Sequence, residues 1–268
     1  MFEKGQFKFN MKTRILYMLL FAVFTLNAQQ DVKAFKKGEW LKYRVSYSNF
    51  LSAGNATLEV KNTIYSGKEA FHVVGKGKTT GVISWFFKVR DKYESYFYKE
   101  SLLPFHFIRK IDEGGHTRDK EIYFNQGTKK AVVIDNKYKT EKEFSLDGEV
   151  QDMVSTLYYL RDQDISKMKA GDEITLTMFF DSTNYQFKLR LLGREIIRTK
   201  FGKVATVKFR PLVQAGRVFK ENESLTVWVS DDKNKIPLRI KASLAVGSMR
   251  ADLNAYKGLA NTFPIIFN

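Results

Sequence analysis

The chain has 268 residues, no cysteine and a formal net charge of +16 at pH 7, with 44% hydrophobic and 15% aromatic residues. This length suits one large β domain with a sizeable core, and the aromatic content favours strands over helices. The lack of cysteine excludes a disulfide framework, a cysteine-ligated zinc site and a thiol nucleophile.

The first 28 residues are predicted to be an N-terminal extension and a cleaved secretory signal peptide. A short basic region, residues 11–14 (MKTR), precedes an apolar run over residues 15–26, and polar residues follow Ala28. The run is too short for a comfortable membrane span, so we expect no transmembrane span in the mature protein; a buried N-terminal helix is the alternative. No cysteine follows the cleavage region, which excludes a lipid anchor. The mature domain, residues 29–268, is expected to be soluble in the periplasm of a Gram-negative bacterium.

Loss of residues 1–28 lowers the formal charge to +13. The charged residues that leave are Glu3, Lys4, Lys8, Lys12 and Arg14. An exported protein with this charge is expected to be attracted to anionic surfaces such as phosphate-bearing lipids or polyanionic glycans. Nucleic acid is not an expected partner, because export separates the protein from it and the basic residues are scattered along the chain.

Alternating apolar and polar residues predict strands along most of the mature chain. The first alternating run covers residues 39–47, and turn residues then recur about every ten residues. The stretch 225–256 predicts three strands that flank the polar turn Asp231–Lys235 and the pair Gly247-Ser248. We therefore predict one mainly β domain, a strongly curved antiparallel sheet or half-barrel of roughly 11–13 strands in a meander.

One break in this alternation predicts the main helix, at about residues 149–162. Asp147 is a candidate N-cap, and Met153 and Leu157 recur at helical spacing. Such a helix is ~18 Å long and can lie across the concave face of the sheet. Its apolar stripe is expected to pack in the core, with the lining of a ligand pocket as the alternative. We expect the small apolar face of residues 249–255 to sit closely against it.

Three motifs that resemble chemical sites have simpler interpretations. Residues 75–81 (GKGKTTG) end like a phosphate-binding loop, but His72 stands where that pattern needs its first glycine, so we interpret them as a strand end or a hairpin turn. The acidic pairs Asp112-Glu113 and Asp231-Asp232 lie beside turns. Neighbours on a strand point to opposite faces, unlike the two carboxylates of a glycosidase.

The histidines do not predict a metal site, because His72, His106 and His116 lack helical i, i+4 spacing. No G-x-S-x-G nucleophile elbow is present, and Ser84 lacks the flanking glycines. We therefore assign no catalytic residue, no metal ligand and no cofactor. A cleft in which His106 or His116 meets a carboxylate would favour catalysis instead.

Aromatic residues cluster between positions 85 and 105. Residues 96–98 carry aromatic side chains on both faces of a strand, so either the sheet is covered on both sides or one face offers an apolar surface to a ligand or membrane. An exposed loop at residues 85–87 would be a natural contact for an acyl chain. The predicted ligand-binding residues are Trp85, Phe86, Phe87, Met153 and Leu157.

An ordered set of landmarks runs through residues 35–258. They are Gly38-Glu39 with Leu41-Lys42-Tyr43, residues 87–95 (FKVRDKYES), Leu103-Pro104, Glu113-Gly114, residues 151–161 (QDMVSTLYYLR), and residues 225–232 (LTVWVSDD) with Ile236-Pro237-Leu238 and Gly247. By these landmarks the chain resembles the exported bacterial domain-of-unknown-function family 3108 (DUF3108). The family has no assigned activity, so the resemblance implies no catalytic residues. It implies a fold similar to the curved half-barrels of lipoprotein carriers, in which a sheet wraps helices.

We therefore expect a non-enzymatic exported protein that binds or shelters an apolar or amphiphilic, lipid-like and anionic component of the cell envelope. This hypothesis leaves room for peripheral membrane contact. The alternative is a scaffolding or assembly module of the envelope, which would have a filled interior. A second alternative is a hydrolase acting on envelope glycan or lipid.

Overall fold

The computed structural model describes residues 33–48, 51–212, 224–244 and 246–266, all within one unit, Lys33–Asn268. The predicted signal peptide, residues 1–28, lies outside the described residues. Within the described ranges, no helix has the length and apolar character needed to cross a membrane.

The described residues form fourteen strands and two helices. The strands are β1 (Trp40–Tyr47), β2 (Leu51–Tyr65), β3 (Lys68–Thr79), β4 (Val89–Tyr98), β5 (Pro104–Glu113), β6 (His116–Asn125), β7 (Lys130–Asp135), β8 (Thr140–Ser145), β9 (Glu173–Phe180), β10 (Thr183–Thr199), β11 (Gly202–Leu212), β12 (Leu225–Ser230), β13 (Pro237–Ser243) and β14 (Ser248–Lys257). The helices are α1 (Ile83–Phe86) and α2 (Met153–Asp162).

All fourteen strands belong to one antiparallel sheet. Each strand pairs with its neighbour in sequence, except that β8 and β9 do not pair, and β1 pairs with β14. The sheet is therefore a long meander with β8 and β9 as its edges, and it does not close into a barrel. This confirms the predicted fold class, a mainly β half-barrel.

The strand missing from the sequence prediction is β8, which brings the sheet to fourteen strands instead of roughly 11–13. Its residues, TEKEFS, are exposed except for a half-buried Phe144. An edge strand with almost no buried face has no alternation of apolar and polar residues, so the period-two pattern could not detect it.

Side chains, not backbone ladders, join the two edges. Phe179 of β9 lies with its ring 6.0 Å from the rings of both Phe124 and Phe144. The side-chain amide of Asn184, at the start of β10, donates to the carbonyl of Ser145 over 3.0 Å. These contacts hold the curved sheet around α2.

The helix α2 begins later than predicted. Its N-cap is Asp152, whose Oδ1 accepts hydrogen bonds from the backbone N–H groups of Val154 (2.7 Å) and Ser155 (2.8 Å). The hydroxyl of Ser155 accepts from the Asp152 N–H over 2.9 Å, which completes a capping box. The prediction of Asp147 as the cap was wrong.

The late start has a cause in the sheet. The backbone of Gln151 donates to Thr177 (2.9 Å) and accepts from Phe179 (2.9 Å), so the chain just before the helix is bound to the edge strand β9. Residues held in an extended bridge cannot take helical geometry at the same time.

A buried ion pair fixes the other end of α2. The guanidinium of Arg161 donates to both carboxylate oxygens of Glu39, over 2.6 and 2.8 Å, and to the carbonyls of Asn234 (3.0 Å) and Ala34 (3.2 Å). Burial alone would lower the pKa of Arg161, but the carboxylate of Glu39 raises it above its usual value, so the guanidinium stays charged. Breaking such a pair leaves an uncompensated buried charge, at a cost of about 3–5 kcal/mol.

Candidate functional site

A cavity of about 500 Å³ lies between α2 and the inner face of the sheet. Strands from both halves of the sheet contribute to its walls, and most of the lining side chains are apolar, including Leu58, Phe187, Phe209, Val227 and Ile240. Its size falls within the range of about 300–1,000 Å³ that is usual for ligand pockets. This cavity is the candidate functional site.

Small residues on neighbouring strands open the space. Gly77 of β3 pairs with Ala56 of β2 on one side and with Asp91 of β4 on the other, and all three line the cavity. Gly75 also lines it, two positions back on the same face. The glycine-rich segment that resembles a phosphate loop is therefore the end of β3, and of our two interpretations the strand end is confirmed.

The helix contributes part of its apolar stripe to the cavity. Tyr158 of α2 is fully buried in the largest hydrophobic cluster. Met153, Leu157 and Leu160 line the cavity instead, and Met153 keeps 38% of its surface exposed. The stripe thus serves both purposes considered from the sequence, core packing and pocket lining.

The predicted close contact between α2 and residues 249–255 was wrong. The helix packs against β4 and β9. Ala251 and Leu253 instead belong to a second hydrophobic cluster, and its described members include no residue of α2. Ala251 faces the helix only across the cavity. Small side chains on the strand therefore create space instead of close packing.

Besides Arg161, which is paired with Glu39, two charged groups in the lining have a shifted pKa. Burial, together with the nearby carboxylates of Glu113 and Asp112, raises the pKa of Asp91 to about 6. Burial lowers the pKa of Lys235, although neighbouring carboxylates oppose this shift. Among the described residues, the Lys235 ammonium has no hydrogen-bond or ion-pair partner. The apolar wall therefore contains an unpaired cation and an acid whose charge is disfavoured.

The five predicted ligand contacts fall into two groups. Met153 and Leu157 line the cavity, and Trp85, Phe86 and Phe87 do not. The three aromatic residues lie in the β3–β4 connection around α1, with exposures of 83%, 82% and 52%. That connection begins just beyond Thr79, only a few residues past Gly77, so the exposed aromatic turn starts within about 10 Å of the cavity wall.

Two histidines meet carboxylates on the outer face of the sheet. His106 lies 3.1 Å from Glu121 and His72 lies 2.8 Å from Glu94. The ring of His106 is stacked between those of neighbouring tyrosines, and burial lowers its pKa. Its neighbours along β5, Phe105 and Phe107, are buried, so His106 points away from the inner face.

The condition stated for a hydrolase was a cleft in which His106 or His116 lies beside a carboxylate. His106 lies beside Glu121, but it does not line the cavity. His116 lies at the start of β6 and is exposed. In the part of the chain that the structure describes, no group of three or more His, Asp and Glu side chains could hold a metal ion.

Comparisons with known proteins agree with the fold. A family model described as "Protein of unknown function (DUF3108)" matches residues 42–254. A β-barrel-like protein of the domain of unknown function DUF1849 from Brucella abortus has a similar structure, with a TM-score of 0.56 and 12% identity over 83% of this chain and 98% of that chain. At this identity the likeness shows the fold alone. No curated protein sequence matches.

Two further solved structures are more distant. One, described as an exported protein with a YmcC-like fold from Bacteroides fragilis, has a TM-score of 0.34 and 10% identity over 83% of this chain and 97% of that chain. The other, described as a lipoprotein from Parabacteroides distasonis, has a TM-score of 0.29 and 11% identity over 84% and 98%. Scores this low support no inference.

Proposed function

This chain belongs to the DUF3108 family, whose function is unknown, and we propose that it is a non-enzymatic exported protein that shelters the apolar chain of an amphiphile. The observation that carries the proposal is the apolar cavity of about 500 Å³ between α2 and the sheet. The signal-peptide pattern of residues 1–28 supports export. A scaffolding module would have a filled interior, and the cavity argues against it.

The cavity favours a chain over a compact polar ligand. Each methylene group that moves from water into an apolar site contributes about 0.8 kcal/mol. An acyl chain therefore gains several kcal/mol without needing a specific polar partner, which matches walls made of Leu, Ile, Val and Phe side chains.

The charges in the lining favour an anionic end group. Lys235 supplies a cation that has no hydrogen-bond or ion-pair partner among the described residues. Among the described residues, Asp91 is the only carboxylate in the lining, and its pKa of about 6 means that acidification below that value removes its negative charge. A long-chain carboxylate or phosphate ester fits this arrangement better than a cationic amphiphile.

The exposed turn around α1 is the part best suited to membrane contact. Trp85 and Phe86 are among the most exposed apolar residues described, and Lys78, Lys88 and Arg90 are exposed beside them. Aromatic side chains partition to the interface of a bilayer, and cations are attracted to anionic head groups. The turn would hold the protein at the surface from which the cavity takes its ligand.

Displacement of a fluorescent fatty acid, dansyl-undecanoic acid, from delipidated protein tests the proposal. An added Cβ at Gly77 would lie 4.0 Å from the Cβ of Asp91, and its φ is outside the left-handed region, so Gly77→Leu places a side chain in the cavity without backbone strain. We expect wild type to bind the probe saturably and Gly77→Leu to bind at least about tenfold more weakly.

The control is Gly127→Leu, the same change in a turn that does not line the cavity, where an added Cβ comes no closer than 3.6 Å to the side chain of Asn125. It should bind like wild type, and circular dichroism verifies that both variants are folded. Failure of wild-type protein to bind, or equal binding by Gly77→Leu, would overturn the proposal.

A further inference from the structure

A second cleft lies on the other face of the sheet, and its lining is basic instead of apolar. It has a volume of about 330 Å³ and lies among β1, β13, β14 and the end of the β10–β11 hairpin. Its charged side chains are Arg44, Arg198, Lys200, Arg239, Arg250 and Asp252. Five cations and one carboxylate leave the cleft with a formal charge of +4.

The cleft is separate from the apolar cavity because neighbouring residues on a strand point to opposite faces. Tyr43 and Ala251 line the apolar cavity, whereas the residues adjacent to them on the same strands, Arg44 and Arg250, line the cleft. In the β1–β14 ladder Arg44 stands opposite Asp252, so the cleft spans the pair of strands.

A single carboxylate positions two of the arginines. Asp252 accepts from the Nε of Arg239 over 2.8 Å, and from the Nε and Nη2 of Arg250 over 2.6 and 2.9 Å. Arg239 also donates to the backbone carbonyl of Arg198 over 3.2 Å. These bonds fix both guanidinium groups in place before any ligand arrives.

The remaining arginines are available to a ligand. Among the described residues, the side chains of Arg44 and Arg198 have no hydrogen-bond or ion-pair partner, and both are exposed. The ammonium of Lys200 donates a hydrogen bond to the side-chain oxygen of Asn254 over 3.1 Å, and Lys200 lines the same cleft. Preorganised and free guanidinium groups together match the several acceptor oxygens of a phosphate.

We propose that this cleft binds a phosphate group, either free or as the phosphate monoester of a sugar or lipid head group. Four uncompensated positive charges in one concave site exceed what a single carboxylate or a neutral glycan requires. Because the cleft opens on the face opposite the apolar cavity, its ligand need not be the one that the cavity takes.

Isothermal titration of wild-type protein with inorganic phosphate and, separately, with glycerol 1-phosphate tests the site. We expect saturable binding of at least one of them. Saturation by both assigns the site to the bare phosphate group, and saturation by glycerol 1-phosphate alone assigns it to a head group. The double variant Arg44→Gln/Arg198→Gln removes two exposed, unpaired side chains and should weaken binding at least about tenfold.

The matched control is Lys139→Gln/Lys142→Gln, which removes the same charge from exposed positions around β8. It should bind as wild type does. Equal weakening in both double variants would mean that net charge, not the cleft, attracts phosphate, and would overturn the proposal, as would the absence of saturable binding. Gly77→Leu should retain phosphate binding even if the apolar cavity takes no chain, which separates this test from the proposed function.

Discussion

Asp152 is the N-cap of α2, and the ionisation of its carboxyl group should change the stability of the protein with pH. Its carboxylate is fully buried, and burial raises its pKa to about 6, although Ser95, Val154 and Ser155 all donate hydrogen bonds to it. The folded protein therefore keeps a proton at pH values where the unfolded chain has released it. The stabilising contribution is complete below about pH 4 and is lost as the pH rises through about 6.

Asp152→Asn should remove this pH dependence. Asparagine caps helices about as well as aspartate, and it does not ionise. Relative to the variant, wild type should lose about 3 kcal/mol of unfolding free energy between about pH 4 and pH 8, since one pKa unit corresponds to about 1.4 kcal/mol. Urea unfolding of both proteins at several pH values measures the difference, and a difference that stays constant with pH would contradict the assignment.

Single residues differ in how far the sequence could predict their roles. Met153 and Leu157 are predicted ligand contacts because helical spacing places them on one face, and both line the cavity. The partnership of Arg161 with Glu39 was not predicted, because the two residues are 122 positions apart and no local pattern joins them. The place of Gly77 in the cavity wall was not predicted, because a glycine adds nothing to a pattern of apolar residues.

Among the elements, the turn around α1 is predicted to contact membranes. Trp85 and Phe86 should enter the interface of an anionic bilayer, so Trp85→Ser/Phe86→Ser should reduce cosedimentation with phosphatidylglycerol vesicles at least about tenfold. Both side chains are more than four-fifths exposed, so folding should be unaffected.

The control for the turn is Ile64→Ser/Tyr138→Ser, which removes two other apolar side chains that are 73% and 67% exposed. This variant should sediment with vesicles as wild type does. Equal loss in both double variants would indicate that general surface hydrophobicity causes the binding, and unchanged binding of the α1 variant would exclude the turn as the contact.

Elements with a buried face could be predicted, and those without one could not. The alternation of apolar residues identified the inner strands, and the change to helical spacing identified α2. Strand β8 has no buried face, and the start of α2 depends on a bridge from Gln151 to β9 that only the folded sheet provides. The end of α2 at Asp162 agreed with the prediction because local spacing decides it.

For the whole described unit, the cavity results from strand register. Gly77, Ala56 and Ala251 lie far apart in sequence, and only the ladders of β3 with β2, β2 with β1 and β1 with β14 bring them to one wall. A sequence read one segment at a time shows small residues in strands but not their alignment. The curved sheet was therefore predictable, while its partly empty interior required the structure.

The chain-length dependence of fatty acid binding tests the central claim most directly. Affinities of delipidated wild-type protein for saturated fatty acids of increasing length, measured by displacement of the dansyl probe, should rise by up to about tenfold for each added pair of methylene groups until the cavity is full. With Gly77→Leu the rise should stop at a shorter chain. An affinity independent of chain length, or the same length limit in both proteins, would contradict the account.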